Sequence, residues 1–423
     1  CGERGGLMPH LLVFNRSYYP DLGATGQLLT ELCEDLVAHH GWEVTVVAGP
    51  PTVSLNGTNG TGSGAGLKSG WGLVRQEAVR GVAVLRAAGT RFPKVRFVGR
   101  ATNYVSYFAS AALAGGWARR PDVVMSLTDP PILGLAALTW ARRWRVPFVF
   151  LCQDIFPEVA RLLEDFRSPT IERVLERINL LLVRRATRVV ALGETMKERL
   201  VTLRGADPAK VAVIHNWGDR AALGGGARDS AFAREHGLVG RFVVMHAGNL
   251  GLSQGLEGLV DAAARLVTDC PDLDVVFVGD AAKRGALESR ARDVGARNVR
   301  FLPFLPRERM RESYGAADLF VISLKPGLAG FIVPSKFYSI LAAGKSYVAV
   351  VEDESEVAAI TLQYGGGLIA PPGDAGALAD RLRTLYRDHA LLEHLAVNAW
   401  DASATFDRPV AVRNYHKILS ELL

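Results

Sequence analysis

Short apolar runs alternate with longer stretches in which apolar positions recur every three or four residues, along almost the whole chain. The runs read as strands at His10–Phe14, Glu43–Ala48, Val82–Arg86, Asp122–Leu127, Pro147–Cys152, Arg188–Leu192 and Val211–Asn216. A second series follows at Phe242–Ala247, Asp274–Gly279, Asn298–Phe304, Asp318–Leu324, Ser346–Val351 and Gly367–Ala370. Helical periodicity fills most of the gaps, for example over Thr25–His40 and Thr170–Arg185. A strand buried on both faces has no polar side to alternate, so near-continuous apolar strands with helical crossovers predict parallel sheets covered on both sides. Two series predict an α/β protein of two Rossmann-like domains, 9–216 and 217–400, divided where GDRAALGGGARD (218–229) breaks the pattern. Residues 401–423 are expected to cross back onto the first domain. Their last helix, Val410–Leu423, spaces Val412, Tyr415, Ile418 and Leu419 helically. NGTNGTGSGAG (56–66) reads as a flexible surface loop.

Composition narrows the class. At 423 residues the chain exceeds one ordinary core. Its four cysteines (Cys1, Cys33, Cys152, Cys270) lie far apart; the last three adjoin apolar segments and read as buried thiols. A disulfide framework or zinc site is not expected, and a reducing, cytoplasmic setting fits. The net charge of +6 is dispersed; it suits an anionic substrate or membrane surface rather than nucleic acid. The most apolar stretch, Ile132–Cys152, carries Arg142, Arg143 and Arg145 at its middle, so a spanning helix is not expected. CGERGGL, before Met8, reads as an upstream extension without signal-peptide character, with the fold starting near Pro9.

The richest chemical signal is MHAGNLGLSQGLE (245–257), where Gly248, Gly251 and Gly255 bracket a strand-to-helix turn. Such a turn lets backbone approach a diphosphate, with helix N-terminal N–H groups facing its charge. The spacing is not GxGxxG and no Walker lysine follows, which favours a nucleotide–sugar over NAD or ATP. A purely structural turn needs glycines too.

Several motifs in order resemble the retaining glycosyltransferase family 4, of GT-B fold, and within it the colanic-acid and O-antigen type enzymes of bacterial polysaccharide synthesis. They are NRSYYPDLGATGQLL (15–29), HGWEVTVV (40–47), QDIFPEVA (153–160), VIHNWGD (213–219), MHAGNLGLSQGLE (245–257), VFVGD (276–280), FLPFLP (301–306) and VPSKFYSILAAGKS (333–346). The resemblance implies two Rossmann-like domains facing across a cleft, the first for the acceptor and the second for a nucleotide–sugar donor. It places Gly23 and Gly26 in a loop touching the donor diphosphate or acceptor, with Tyr18 and Tyr19 lining the cleft or packing. It puts Gln153 and Asp154 near the acceptor, where the family often has a histidine followed by an acid. Asp154 then orients an acceptor hydroxyl or acts as base, unless it only caps the helix starting at Pro157; Glu158 belongs to that helix's first turn.

The donor signature departs from the family pattern. Its paired glutamates are replaced by Phe331 and Ser339, and its basic pair after the phosphate loop by Asn249 and Gln254. Positive charge for the diphosphate then falls to Lys325 and to Lys336, which follows Pro334 and Ser335 in VPSK. Leu302, Pro303 and Phe304 are expected to pack the base, while Gly279 and Asp280 end the neighbouring strand, Asp280 binding ribose or capping the next helix. His215 and His246 at strand ends read as packed histidines. No metal and no cofactor are expected, the nucleotide–sugar being a co-substrate. The stretch Arg91–Arg120 reads as an apolar helix with basic ends: a core helix, or in part a surface lying on anionic lipid. Three functions remain open: a retaining transferase acting on a glycan or polyprenyl-linked acceptor, a GT-B sugar epimerase, or a non-catalytic nucleotide–sugar binder.

Overall fold

A computed structural model describes residues 8–21, 23–51, 68–69, 72–90, 92, 97–162, 168–281 and 283–423. The proposed loop at 56–66 and the basic positions Arg91, Lys94 and Arg96 lie outside them. The chain divides into two compact units. The first holds residues up to Ile214 together with Val412–Leu423; the second is His215–Ala411.

The strands are β1 (His10–Phe14), β2 (Glu43–Ala48), β3 (Lys68–Ser69), β4 (Val74–Val79), β5 (Val82–Ala87), β6 (Val123–Ser126), β7 (Phe148–Leu151), β8 (Arg188–Ala191) and β9 (Val211–Val213) in the first unit. The second has β10 (Phe242–Ala247), β11 (Leu273–Val278), β12 (Val299–Leu302), β13 (Leu319–Ser323), β14 (Ser346–Val350) and β15 (Gly367–Ala370).

The first sheet runs β3-β4-β5-β2-β1-β6-β7-β8-β9 and is parallel from β5 to β9. Its β3–β4–β5 edge is antiparallel, a departure from the all-parallel expectation. Val74–Val79 (VRQEAV) is polar and largely exposed, so no apolar run marks it. The turn that folds it back is Arg80–Gly81, with φ of 47° and 85°. Two successive positive φ values make the two-residue turn whose twist matches a hairpin.

The second sheet, β12-β11-β10-β13-β14-β15, is wholly parallel. Its central strands are buried throughout. Helices Glu257–Leu266 and Ala375–Arg387 cover one face, supplying Leu259, Val260, Ala263, Leu266, Leu378 and Leu382 to a core with Val244, Val275, Phe277 and Val348. Each fully buried aliphatic or aromatic side chain there stabilises by about 1.5–3 kcal/mol before entropy is counted.

In both sheets the order reverses beside the first strand of the unit, between β1 and β6 and between β10 and β13. Loops leaving the C-terminal ends of those strands diverge to opposite faces and leave a crevice, the place where ligands bind in open α/β sheets.

Helix Arg408–Ser420 joins the first unit from Val412 onward, burying Val412, Tyr415 and Leu419. Trp42 Nε1 donates to His416 Nδ1 at 3.0 Å, and His40 stacks on His416. Residues 401–411 stay with the second unit. Phe406 packs on Tyr338 and Tyr364, and Gly218 pairs with Asp407. For the same reason 215–229 belongs to the second unit: Asp219 caps helix Arg220–Leu223 and Arg408 pairs with Asp219.

Candidate functional site

In the second unit, β10 ends in His246 and Ala247, and the glycine turn follows at the point of strand-order reversal. Gly248 has φ of +116° and Gly279 of +151°. A Cβ on Gly279 would lie 1.9 Å from the Gly248 carbonyl oxygen, so glycine is required for the two loops to meet. Lys336 opens helix Lys336–Ala342 and lies against this turn; a Cβ on Gly248 would be 3.5 Å from its Cε and Nζ. Lys325, after β13, reaches the far end of the turn. Its N–H donates to Ser253 O at 2.8 Å and its stem lies 3.5 Å from where a Gly255 Cβ would be. The structure therefore brings Gly248, Gly251, Gly255, Lys325 and Lys336 together.

The Lys336 amine is held down to about 7 by burial, which penalises the charged form. Its Nζ lies 2.9 Å from His246 Nε2. His246 is fully buried, as a packed histidine is, but also touches Gln254, whose side-chain amide is 3.2 Å from the same nitrogen. Asn249 is exposed.

One expectation, that the backbone amides from Gly248 to Gly251 all face the diphosphate, needs correction: Gly248 N–H donates to Val278 O and Leu250 N–H to Asp280 O, a continuation of the β10–β11 pairing. Asn249 and Gly251 are the two whose N–H groups carry no such bond among the described residues. The turn does run into a helix: after Gly255 and the N-cap Leu256 it starts at Glu257, whose carboxylate accepts from Lys283 Nζ at 2.8 Å.

Asp280 is exposed and accepts from Ala281 N–H at 2.8 Å. It does not cap the next helix, whose N-cap is Lys283. Leu302 accepts from Gly279 N–H at 2.9 Å, which sets the end of β12 beside the turn, with Pro303 and Phe304 exposed beyond it. Ser339 lies one turn beyond Lys336, half-buried, and its hydroxyl makes no hydrogen bond among the described residues. Pro334 and Ser335 supply carbonyls to the helix start, accepting from Phe337 and Tyr338. His215 packs: Nε2 lies 2.8 Å from Glu356 Oε1, and its ring meets Phe406 edge-on.

In the first unit, the reversal point holds an ion pair that sequence reading missed. Arg16 follows β1 and Asp129 follows β6, and Nε meets Oδ1 at 3.1 Å. Ser17 Oγ donates to Asp129 Oδ2 at 3.0 Å. The signal was available: strand order makes β1 and β6 neighbours, so residues just after each must meet. Asp154, after β7, is half-buried, and its N–H donates to Thr128 Oγ1 at 3.3 Å. Burial, then the Asp129 charge, pushes its carboxyl up to about 7. The helix beyond runs Glu158–Leu162, with Glu158 in its first turn and paired to Arg204. Gln153 is half-buried beside Asp154. Gly23 is the N-cap of helix Ala24–His40, and Gly26 packs on Ser17 and Asp21. Tyr18 is fully buried and therefore packs; Tyr19 lies under the Arg80 guanidinium.

The class follows from the two halves together: residues 23–217 match a glycosyl transferase 4-like domain and residues 241–388 match glycosyl transferases group 1, so the chain is a glycosyltransferase, and its two Rossmann-like units give it the GT-B fold. Among its relatives, the probable glycosyltransferase WbjE of Pseudomonas aeruginosa is 29% identical over 264 residues, 62% of this chain and 65% of that protein. The putative colanic acid biosynthesis glycosyl transferase WcaI of Escherichia coli K12 is 25% identical over 96% of this chain and 98% of that protein. The crystal structure of Anabaena HepE in complex with UDP superposes with a TM-score of 0.71 at 18% identity, covering 98% of this chain and 100% of that one. WaaG, a glycosyltransferase involved in lipopolysaccharide biosynthesis, gives 0.68 at 14%, covering 97% of this chain and 99% of that one.

Proposed function

We propose that this enzyme transfers a sugar from a nucleoside-diphosphate sugar to a glycan or polyprenyl-linked acceptor in surface-polysaccharide synthesis, with retention at the anomeric carbon. The observation that carries the donor half is the Lys336 amine lying against the Gly248 turn at the strand-order reversal. There Lys336 and Lys325, with the Asn249 and Gly251 amides, receive the diphosphate, and no metal or cofactor is required. Leu302, Pro303 and Phe304 receive the base and Asp280 the ribose; Ser339 makes a weaker contact in place of a carboxylate. HepE, solved with UDP and with UDP-glucose, supports a nucleotide–sugar donor. The likeness to WcaI, a putative colanic acid biosynthesis glycosyl transferase, supports the polysaccharide setting.

The acceptor is assigned to the first unit, where Asp154 and Gln153 orient its hydroxyl. No enzymic nucleophile is invoked. The leaving phosphate takes the acceptor proton as the new bond forms on the same face, which retains configuration. A membrane-linked acceptor calls for a surface that meets lipid. Helix Phe97–Ala114 buries Tyr107, Ala111 and Ala114 but exposes Val105 and Leu113, followed by exposed Trp117, Arg119 and Arg120. We assign that face to an anionic leaflet.

Incubation with a panel of nucleoside-diphosphate sugars tests the reading. Slow release of nucleoside diphosphate from one donor, accelerated by a lipid-linked or glycan acceptor, with the donor's anomeric configuration kept in the product, is expected. Isomerised sugar nucleotide without release overturns it.

A further inference from the structure

His246 is spent on more than packing. It is fully buried at the end of β10, and its Nδ1 lies 3.1 Å from the Val321 carbonyl on neighbouring β13. A carbonyl oxygen only accepts, so Nδ1 carries the hydrogen. Burial, and next the Lys336 charge, hold the ring far on the neutral side of its ordinary titration. In a neutral imidazole with Nδ1 protonated, Nε2 is a lone pair. That lone pair lies 2.9 Å from Lys336 Nζ, so the lysine donates. Gln254 Oε1 lies 3.2 Å from the same nitrogen, and since an amide oxygen cannot donate to a lone pair, this arrangement calls for the amide to be turned end for end, with its NH₂ toward the ring.

Of the other charged groups near the turn, Glu257 pairs with Lys283 at 2.8 Å, and the Lys325 stem lies along Gly255. Among the described residues no carboxylate pairs with Lys336, so His246 is the acceptor that fixes this amine.

We infer that His246 is a positioning residue, whose Nε2 lone pair holds the Lys336 ammonium beneath the Gly248 turn with two N–H donors left for a bound diphosphate. The inference rests on the donor-site reading above. A flexible lysine stem samples many rotamers, and an acceptor at a fixed point removes that freedom before the ligand arrives. Binding a dianion also favours the charged amine, so above about pH 7 the free protein takes up a proton as the diphosphate binds.

The test uses His246→Asn and His246→Gln. Asparagine keeps a polar group near Nδ1 and Val321 but falls short of Lys336; glutamine reaches the Nε2 position with an acceptor oxygen. Calorimetry with UDP, GDP, CDP, ADP and dTDP, from pH 6 to 9 and in two buffers of different ionisation enthalpy, gives affinity and proton uptake. His246→Asn is expected to weaken the diphosphate the wild type prefers by about tenfold, the scale of one charge-assisted hydrogen bond, and to shift the pH at which affinity falls downward. His246→Gln is expected to recover most of the affinity and the wild-type pH profile. Equal binding by both variants with an unchanged pH profile overturns the inference, as does an equal loss in both that leaves the profile where it was. A wild type that binds none of the five overturns the donor-site reading itself. Melting curves of both variants confirm that each is folded.

Discussion

Lys336 is under opposed demands. Burial favours its neutral amine, pulled down from 10.5 to about 7, while a diphosphate needs the cation. The unfolded chain, with an ordinary lysine, binds more protons than the folded one between those two values. Stability therefore rises with pH across that window and is lowest at and below about pH 7. Lys336→Met is expected to gain stability relative to wild type at pH 6 and to lose that advantage by pH 10, read from melting curves at both. Lys336→Ala is expected to weaken nucleoside-diphosphate binding by roughly 1.5–3 kcal/mol, and unchanged affinity in a folded variant removes Lys336 from the site. Asp154 carries the opposite sign. Raised from 3.8 to about 7 by burial and Asp129, it keeps a proton in the fold that the unfolded chain has released, so stability declines as pH rises through that range. If its carboxylate orients the acceptor, kcat rises with pH through about 7. Asp154→Asn is expected to remove that limb and slow transfer by roughly 100-fold, without a trapped covalent glycosyl-enzyme. A pH–rate profile of both proteins checks it. The roles of Lys336 and Asp154 were suggested by motif position alone. The partner of Lys336 was not legible, because His246 stands 90 residues away and an imidazole at the end of an apolar strand looks the same in sequence whether or not it touches an amine.

At the level of elements, apolar runs announced every parallel strand, since a strand covered on both faces has to be apolar along its length. The hairpin strand Val74–Val79 escaped because its side chains face water on an edge, and only the Arg80–Gly81 turn carries a trace of it. The glycine turn was legible as a loop but not in detail. Which amides are consumed depends on how far β10 pairing continues past Ala247, a tertiary matter. Gly279 holds the two loops together, and substitution separates space from conformation. Gly279→Ala places a methyl 1.9 Å from the Gly248 oxygen at φ of +151°, and is expected to cost more than about 2 kcal/mol and to abolish diphosphate binding. Gly258→Ala, in helix Glu257–Leu266 with nothing within 4 Å of the new Cβ, is expected to stabilise by about 0.5–1 kcal/mol. Differential scanning calorimetry on the pair decides whether the turn, rather than glycine content in general, limits the second unit.

For the whole molecule, the two α/β series were visible from periodicity and the division, expected after residue 216, falls after Ile214; what was not visible is that 401–411 stay with the second unit. The break at 218–229 is a real irregularity, yet the aromatic packing of Phe406 on Tyr338 and Tyr364 ties the flanking segments into the second unit, and no local pattern encodes that. The net charge of +6 acquires a location only in the fold. Helix Phe97–Ala114 presents Val105 and Leu113 to solvent at 59% and 55% exposure, and Trp117 at 52%. One stripe of that helix is core and another is bare. Trp140 Nε1 donates to Ala112 O at 2.7 Å, fastening helix Gly134–Trp144 beside it and bringing exposed Arg142, Arg143 and Arg145 to the same region as Arg119 and Arg120. Arg120 in turn donates to Trp144 O at 3.2 Å. An apolar stripe gains by entering the acyl boundary, and each arginine near an anionic leaflet adds about 1 kcal/mol, screened over a Debye length of about 10 Å at 0.1 M salt. Among the described residues no helix is long and apolar enough to cross a bilayer. The protein is expected to co-float with vesicles containing anionic phospholipid at low salt and to be released as salt rises. Trp117→Ser combined with Leu113→Ser is expected to weaken flotation even at low salt, whereas Arg119→Ala with Arg120→Ala is expected to weaken it most at intermediate salt. Flotation indifferent to lipid charge assigns the attachment to the apolar stripe alone, and no flotation at low salt argues for an acceptor met in water.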